Sequence, residues 1–216
     1  MYESERISQN LSQIKKVTDN YKVKIIAVSK YYPKEKMREA YKAGLKDFGE
    51  SRLPEALEKI NGLDDEMKSD CKYHLIGHLQ TNKVKLAVGR FNLIQSIDSI
   101  KLVDEVSKKA EMLGIKQDIL IQVNNSGEEQ KYGIALSQLD NLTEHIKELK
   151  NINLKGFMNV APLSDDIKLI KKLFDEMYKL KETYKLEELS MGMSNDYKIA
   201  LDSGATMIRL GRILFE

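Results

Sequence analysis

The chain has 216 residues, 42% of them hydrophobic, with 35 Lys and Arg against 33 Asp and Glu for a formal charge of +2. That length suits one compact domain, residues 1–216, able to bury roughly 70% of its unfolded surface without a staple, and the charge balance gives no cause to expect nucleic acid or a membrane as partner. The single cysteine, Cys71, excludes an internal disulfide and suits a reducing cytosol, while MYESERISQN lacks a signal-peptide core and no run approaches 18 apolar residues, so a cytoplasmic protein is expected.

Residues 3–20 predict a polar helix with Ile7, Leu11, Ile14 and Val17 on one face. Strands and helices then alternate. KIIAVSK (24–30) reads as a buried strand, followed by Pro33 and a helix with Met37, Ala40 and Tyr41 inward, ended by Gly44. KDFGE is a short strand and Ser51 to Ile60 a helix with Pro54 near its start. KYHLIGHL is a strand, Gln80 to Val88 a helix, and FNLIQSI a strand. Ser99 can cap a helix that turns Leu102, Val103, Val106, Ala110 and Leu113 inward and closes at Gly114. DILIQV is a strand, NNSGEEQKYG a polar loop, and Leu139, Leu142, Ile146 and Leu149 mark the next helix. LKGFMNV is a strand, and Ile167, Ile170, Leu173, Phe174, Met177 and Leu180 stripe the longest helix. ELSMG, a short helix from Asn195 to Ser203, and TMIRLG complete the chain. Eight apolar strands joined by helices imply a parallel sheet covered on both faces, and in this length a closed (β/α)8 TIM barrel with an extra N-terminal helix. An open doubly wound sheet is the alternative, although no GxGxxG or P-loop follows the first strand.

In a barrel the carboxyl ends of the strands share one face, where such folds hold their sites. The ends here carry Lys30, Gly49-Glu50-Ser51, Gly77-His78, Ser96, Asn124, Met158-Asn159, Gly192-Met193-Ser194-Asn195 and Arg209-Leu210-Gly211-Arg212. A lysine, an arginine, a carboxylate and Gly/Ser turns together point to an anionic small molecule with an electrophilic group. A lysine after a strand is most commonly a solvated surface group. Lys30 differs because its strand is nonpolar to the tip, and partial desolvation favours the neutral amine that attacks aldehydes. In SMGMSNDY, Ser194 or Asn195 can simply cap a helix, but a helix start preceded by Gly and Ser also suits a phosphate. Gly211 allows close backbone approach, and Arg209 inside a strand needs an acceptor: a carboxylate, a carbonyl or a ligand atom. His74 and His78 are expected on one face of one strand, as hydrogen-bonded structural residues rather than metal ligands. Glu50 can act as acid or base, or cap the next helix. Met158, Met191 and Met193 read as core packing.

Several stretches together resemble one family, the pyridoxal 5′-phosphate homeostasis proteins: AVSK (27–30), FGES (48–51), HLIGHLQTNK (74–83), QSIDS (95–99), QVNNSGEEQKYG (122–133), GFMNVAP (156–162), LSMGMSNDY (189–197) and GATMIRLGR (204–212). They occur in the family's order over nearly the whole chain. The resemblance implies the barrel of the alanine racemase N-terminal domain, with Lys30 as the internal-aldimine lysine and Ser194 a phosphate-binding residue. It places the backbone of Gly211 and Arg212 around the phosphate, and Arg209 opposite the pyridine nitrogen, which that arginine keeps unprotonated. It also matches Lys131 to a second lysine near the cofactor. Ser51, Met193 and Asn195 complete the expected cofactor-binding set. The chain departs from the family where FGESRLPE stands for the commoner FGENYVQE: Ser51 replaces an asparagine and reaches less far, and Pro54 replaces a glutamine.

The function implied is a cofactor carrier and regulator without established turnover, with cofactor-recipient enzymes as partners and a monomer as the expected state. Barrel alanine racemases add a β-rich domain that supplies a second catalytic base, for which the sequence, ending at Glu216, is expected to offer no source. The alternatives are a weak amino-acid racemase or decarboxylase on the same cofactor, a cofactor-free aldolase using Lys30, or a ligand-free scaffold.

Overall fold

A computed structural model describes residues 3–128 and 130–216, so Met1, Tyr2 and the Glu129 position of the polar loop lie outside the described residues. The first strand, β1 (Lys24–Val28), buries Ile26, Ala27 and Val28, too apolar a run to face water on either side. The ring grows from it in chain order: α2 (Lys34–Lys42), β2 (Asp47–Glu50), α3 (Leu53–Asn61), α4 (Asp65–Asp70), β3 (Lys72–Leu75), α5 (Val84–Ala87), β4 (Leu93–Ile97), α6 (Ile100–Met112) and β5 (Gln117–Asn124). A two-residue bridge, β6 (Ile134–Ala135), precedes α7 (Leu136–Lys147), β7 (Ile152–Met158), α8 (Ile167–Thr183), β8 (Glu188–Ser190), α9 (Tyr197–Asp202), β9 (Met207–Leu210) and α10 (Arg212–Phe215). Every pairing is parallel, and contacts of β4 with β5 and of β9 with β1 close the circle β1-β2-β3-β4-β5-β7-β8-β9. The result is the expected eight-stranded (β/α)8 barrel, with β6 paired, among the described residues, to β5 alone.

Two apolar layers hold the ring. Ile26, Leu93, Leu120, Met158 and Met207, from five different strands, form a small cluster of their own. The opposite strand faces, including Ala27, Phe48, Ile94, Ile119, Phe157 and Ile208, join helix residues in the main core. Each fully buried Ile, Leu or Phe contributes about 1.5–3 kcal/mol from burial. The N-terminal helix α1 (Glu3–Thr18) buries Ile7, Leu11 and Ile14, and Asn10 Nδ2 donates to Leu214 O at 3.1 Å, which ties α1 to α10.

Several boundaries differ from the sequence expectation. The Gln80–Val88 helix is a 3-10 turn, Thr81–Lys83, followed by the single turn of α5. Leu113 and Ile167 do not face inward: they are 46% and 65% exposed, Leu113 as the C-cap of α6 and Ile167 as the first residue of α8. β3 stops at Leu75, so His78 is not on the strand with His74. Ser99 does cap α6, accepting from Leu102 N–H at 3.3 Å. Among the described residues no helix is long and apolar enough to cross a membrane.

Candidate functional site

In the ring, β8, β9, β1 and β2 are consecutive neighbours. The residues after them therefore share one arc of the C-terminal rim: Met193–Asn195 after β8, Gly211 and Arg212 after β9, Lys30 after β1 and Ser51 after β2. Lys131 follows β5, farther round the ring.

Lys30 is half-buried. Tyr32 N–H donates to Ser29 O at 2.9 Å, so residues 29–32 form a closed β-turn with Lys30 at its second position. Lys30 Nζ lies 5.0 Å from the centre of the Tyr31 ring, and among the described residues it has no hydrogen bond or ion pair. Beneath the turn, Glu50 is only 1% exposed. It does not cap α3, whose N-cap residue is Arg52, which sets aside the capping reading. Its Oε1 accepts from Ser29 Oγ at 2.8 Å and from Lys59 Nζ. Lys59 was not anticipated. The signal for it was available: it sits three residues after Ala56, on the inward stripe of α3 with buried Leu53 and Ala56.

The other end of the arc is a set of backbone donors. α9 begins at Tyr197 with Asp196 as its N-cap residue, so neither Ser194 nor Asn195 caps it. Asp196 Oδ1 accepts from Met193 N–H at 2.5 Å, while Met193 O receives the N–H of Asp196 at 3.1 Å and of Tyr197 at 2.8 Å. Met193 is half-buried rather than core, and its amide is already taken. The tight loop leaves the N–H groups of Ser194 and Asn195 without a partner among the described residues, as are those of Gly211 and Arg212. Gly192 before the loop has φ +89, and a Cβ there would lie 2.6 Å from Ala200 Cβ, so the fold itself requires glycine. Gly211 is different: its φ is −110, and a Cβ would sit 3.6 Å from Val28 O in ordinary contact. Among the described residues no contact demands a glycine at 211.

Arg209 is 4% exposed and finds its acceptors inside the barrel: Ser190 Oγ at 2.8 Å and Asn159 O at 2.6 Å. Burial pushes its guanidinium down to about 10, opposed by the Asp196 carboxylate, so it remains a cation at neutral pH. Burial in turn raises the Asp196 carboxyl, against the pull of the Met193 amide and Arg209. From Arg209 a buried polar chain continues: Ser190 Oγ donates to Gln95 Oε1 at 2.7 Å, Gln95 Nε2 meets His74 Nδ1 at 3.2 Å, and His74 Nε2 meets Asp47 Oδ1 at 2.9 Å. His74 is thus a hydrogen-bonded residue of the barrel interior. His78 instead pairs with Asp98 at 3.5 Å and stacks on Tyr132 with ring centres 4.0 Å apart. Burial raises the Asp98 carboxyl, opposed by His78. Lys131 forms an ion pair with Glu128, which holds that carboxyl below its usual range. Two buried atoms at strand ends, Ser96 Oγ and Asn159 Oδ1, have no partner within the described residues.

A cavity of about 610 Å³ opens at the opposite end of the barrel, between Lys24, Asp47, His74, Gln117 and Glu188. Its polar groups are largely paired with one another: Lys24 with Glu188 at 2.5 Å, Lys155 with Glu187 at 3.3 Å, and Asn153 Nδ2 with Asp118 Oδ1 at 2.7 Å.

The family model "Alanine racemase, N-terminal domain" matches residues 3–216. The pyridoxal phosphate homeostasis protein of Aquifex aeolicus is 38% identical over 222 residues, spanning 98% of this chain and 96% of that protein. Its namesake from Schizosaccharomyces pombe is 35% identical, spanning 94% of this chain and 88% of its own length. PipY of Synechococcus elongatus, solved with PLP bound, superposes with a TM-score of 0.87 at 33% identity, covering 97% of this chain and all of PipY. Alanine racemase from Clostridium difficile shares the fold at a TM-score of 0.79 and 16% identity, with this chain covering 56% of it. A family model matched over residues 3–216 and relatives 35–38% identical over nearly all of the chain make it a member of the pyridoxal phosphate homeostasis protein family, on the alanine racemase N-terminal-domain fold.

Proposed function

We propose that this chain binds pyridoxal 5′-phosphate at the C-terminal rim of its barrel and takes part in homeostasis of that cofactor in the cytoplasm, as a holder rather than a catalyst. The observation that carries the reading is a half-buried lysine amine and, on the same arc, four backbone amides, all without a partner among the described residues. The residues fit the group. Pyridoxal phosphate supplies an aldehyde that an amine can hold as a Schiff base and a phosphate that wants N–H donors. Lys30 is the amine. The amides of Ser194, Asn195, Gly211 and Arg212 receive the phosphate, with the Ser194 hydroxyl and the Arg212 guanidinium beside them. Gly211, which neither φ nor packing requires, keeps a side chain out of the phosphate's space. Arg209, held by Ser190 and Asn159, presents a fixed cation towards the ring, and Asn159 Oδ1 and Ser96 Oγ are spare polar atoms for it. Ser51 and Met193 flank the mouth. The relatives' names and the PLP-bound PipY support the same reading.

The test is direct. Purified protein is soaked with pyridoxal phosphate, reduced with borohydride and digested, and a pyridoxyl group is expected on the peptide carrying Lys30. A protein that stays colourless and gains no mass there overturns the proposal. A racemase on the same cofactor needs proton donors or acceptors on both faces of the substrate carbon. Substantial interconversion of D- and L-alanine by the loaded protein would establish that reading in place of the holder.

A further inference from the structure

The Lys59–Glu50 pair lies outside the cofactor-contacting set, yet it touches the Lys30 turn at three atoms. Lys59 Nζ donates to Ser29 O at 2.7 Å and to Tyr32 O at 3.3 Å, the carbonyls of the first and last residues of the turn. Its third donor goes to Glu50, which also accepts from Ser29 Oγ. All three N–H groups of one ammonium are therefore used. The pair is deeply set, with side-chain exposures of 15% for Lys59 and 1% for Glu50. A buried ion pair is weak evidence for stability, because desolvation offsets most of its attraction. Its placement calls for another reason, and the turn it grips supplies one. On the other side the Tyr32 ring stacks on Phe215 at 4.5 Å and its hydroxyl donates to Glu216 at 2.8 Å. The backbone around Lys30 is held on both sides, while the Lys30 amine itself has no hydrogen bond or ion pair among the described residues.

We propose that Lys59, charge-balanced by Glu50, is a positioning residue for the Lys30 amine: it fixes the turn so that the amine meets the aldehyde carbon at the right approach. The inference rests on the reading that Lys30 condenses with pyridoxal phosphate. Condensation forms the C–N bond as the amine attacks and the aldehyde oxygen leaves as water, so its rate depends on where the amine is held. Affinity for the phosphate and ring does not depend on that step.

Two ligands separate the roles. Pyridoxal phosphate with timed borohydride quenching measures the rate at which Lys30 is labelled, read by peptide mass spectrometry. Pyridoxamine 5′-phosphate, which has no aldehyde, measures binding by the rest of the site. Lys59→Met is expected to slow labelling about 10- to 100-fold, the usual consequence of an ångström-scale misplacement, while pyridoxamine phosphate binds as in the wild type. Lys59→Arg, which keeps the donors, is expected to recover most of the rate. Labelling at the wild-type rate in Lys59→Met, or a parallel loss with both ligands, overturns the proposal. Should Lys59→Met fail to fold, Glu50→Gln, which keeps shape and acceptor but removes the charge, must show the same split or the proposal falls. A wild-type protein that takes up neither ligand removes the functional reading beneath it. A wild-type protein that is labelled normally, with variants that match it, removes only the role of Lys59.

Discussion

The two ends of the barrel differ in how completely their polar groups are satisfied. At the N-terminal end a cavity of about 610 Å³ looks like the more obvious place for a ligand. Yet Lys24, Glu188, Asp47, His74, Lys155 and Glu187 there bond to one another, and Gln117 closes on the backbone of Gly89 and Phe91 at 3.1 Å each. At the C-terminal end, Lys30 Nζ, four backbone amides, Ser96 Oγ and Asn159 Oδ1 have no partner among the described residues. Native proteins pair nearly all buried polar groups, so the buried Ser96 Oγ and Asn159 Oδ1 at this end need explaining where a void does not. On the proposed reading, unmet polar groups mark the site where volume does not.

Exchanging lysines between the ends gives the largest contrast. Lys30→Ala is expected to abolish the yellow band and the borohydride-stable mass, whereas Lys24→Ala, which removes a half-exposed pair with Glu188, leaves both intact and costs about 0–1 kcal/mol of stability. Absorption spectra and intact mass decide it, and equal labelling of the two variants would erase the distinction between the ends.

Two glycines on the C-terminal rim sharpen the comparison further. Gly211→Ala fits the fold, with its Cβ 3.6 Å from Val28 O, so thermal stability is expected to hold while pyridoxamine phosphate binding weakens. A loss of about tenfold, ~1.4 kcal/mol, is the scale to look for. Gly192→Ala does the reverse: its φ of +89 and a contact of 2.6 Å to Ala200 Cβ predict a fold less stable by about 1–3 kcal/mol. If both variants lose stability alike, Gly211 is a structural glycine and the phosphate assignment loses its support.

The barrel was legible because each strand is a short apolar run with a turn on either side, and such runs are nearly independent of one another. What escaped were pieces too short to show a period. β6 has two residues, and α4 is the polar hexamer DEMKSD with Met67 its one buried side chain. Lys30, Ser194, Arg209 and Gly211 could be singled out because each stands at a strand tip. The inward stripe of α3 marked the position of Lys59 but not its role, and Asp196 and the Gln95–His74 link left no mark, since their meaning is set by residues brought to them across the ring. Lys59 meets Ser29 from 30 positions away, and Gln95 meets Ser190 from 95.

That link also joins the two ends by hydrogen bonds, and it sets the third expected effect. Gln95→Leu would leave Ser190 Oγ without its acceptor and His74 Nδ1 without its partner in a dry interior. A loss of about 1–3 kcal/mol in chemical denaturation is expected. The share that reaches the rim shows as weaker pyridoxamine phosphate binding, through Arg209. Unchanged binding with lowered stability would mean that the chain is structural and the ends are independent.

The smallest effect comes from two phenols on opposite sides of the molecule. Burial, then the bond to Glu216, pushes Tyr32 at the rim up to about 12, and burial, then the bond to Asp140, pushes Tyr184 at the end of α8 to about 12. In each case the folded state holds the phenol proton more tightly than the unfolded chain, whose value is near 10. Their stabilisation is therefore complete below pH about 10 and lost as the pH rises through about 12. Replacing either by Phe should flatten that alkaline fall in the unfolding midpoint. Only at Tyr32, which stacks on Phe215 within the Lys30 turn, should the change also alter the labelling rate of Lys30. A Tyr184→Phe protein that loses labelling to the same degree would show that the rim's order depends on the whole fold rather than on the contacts beside it.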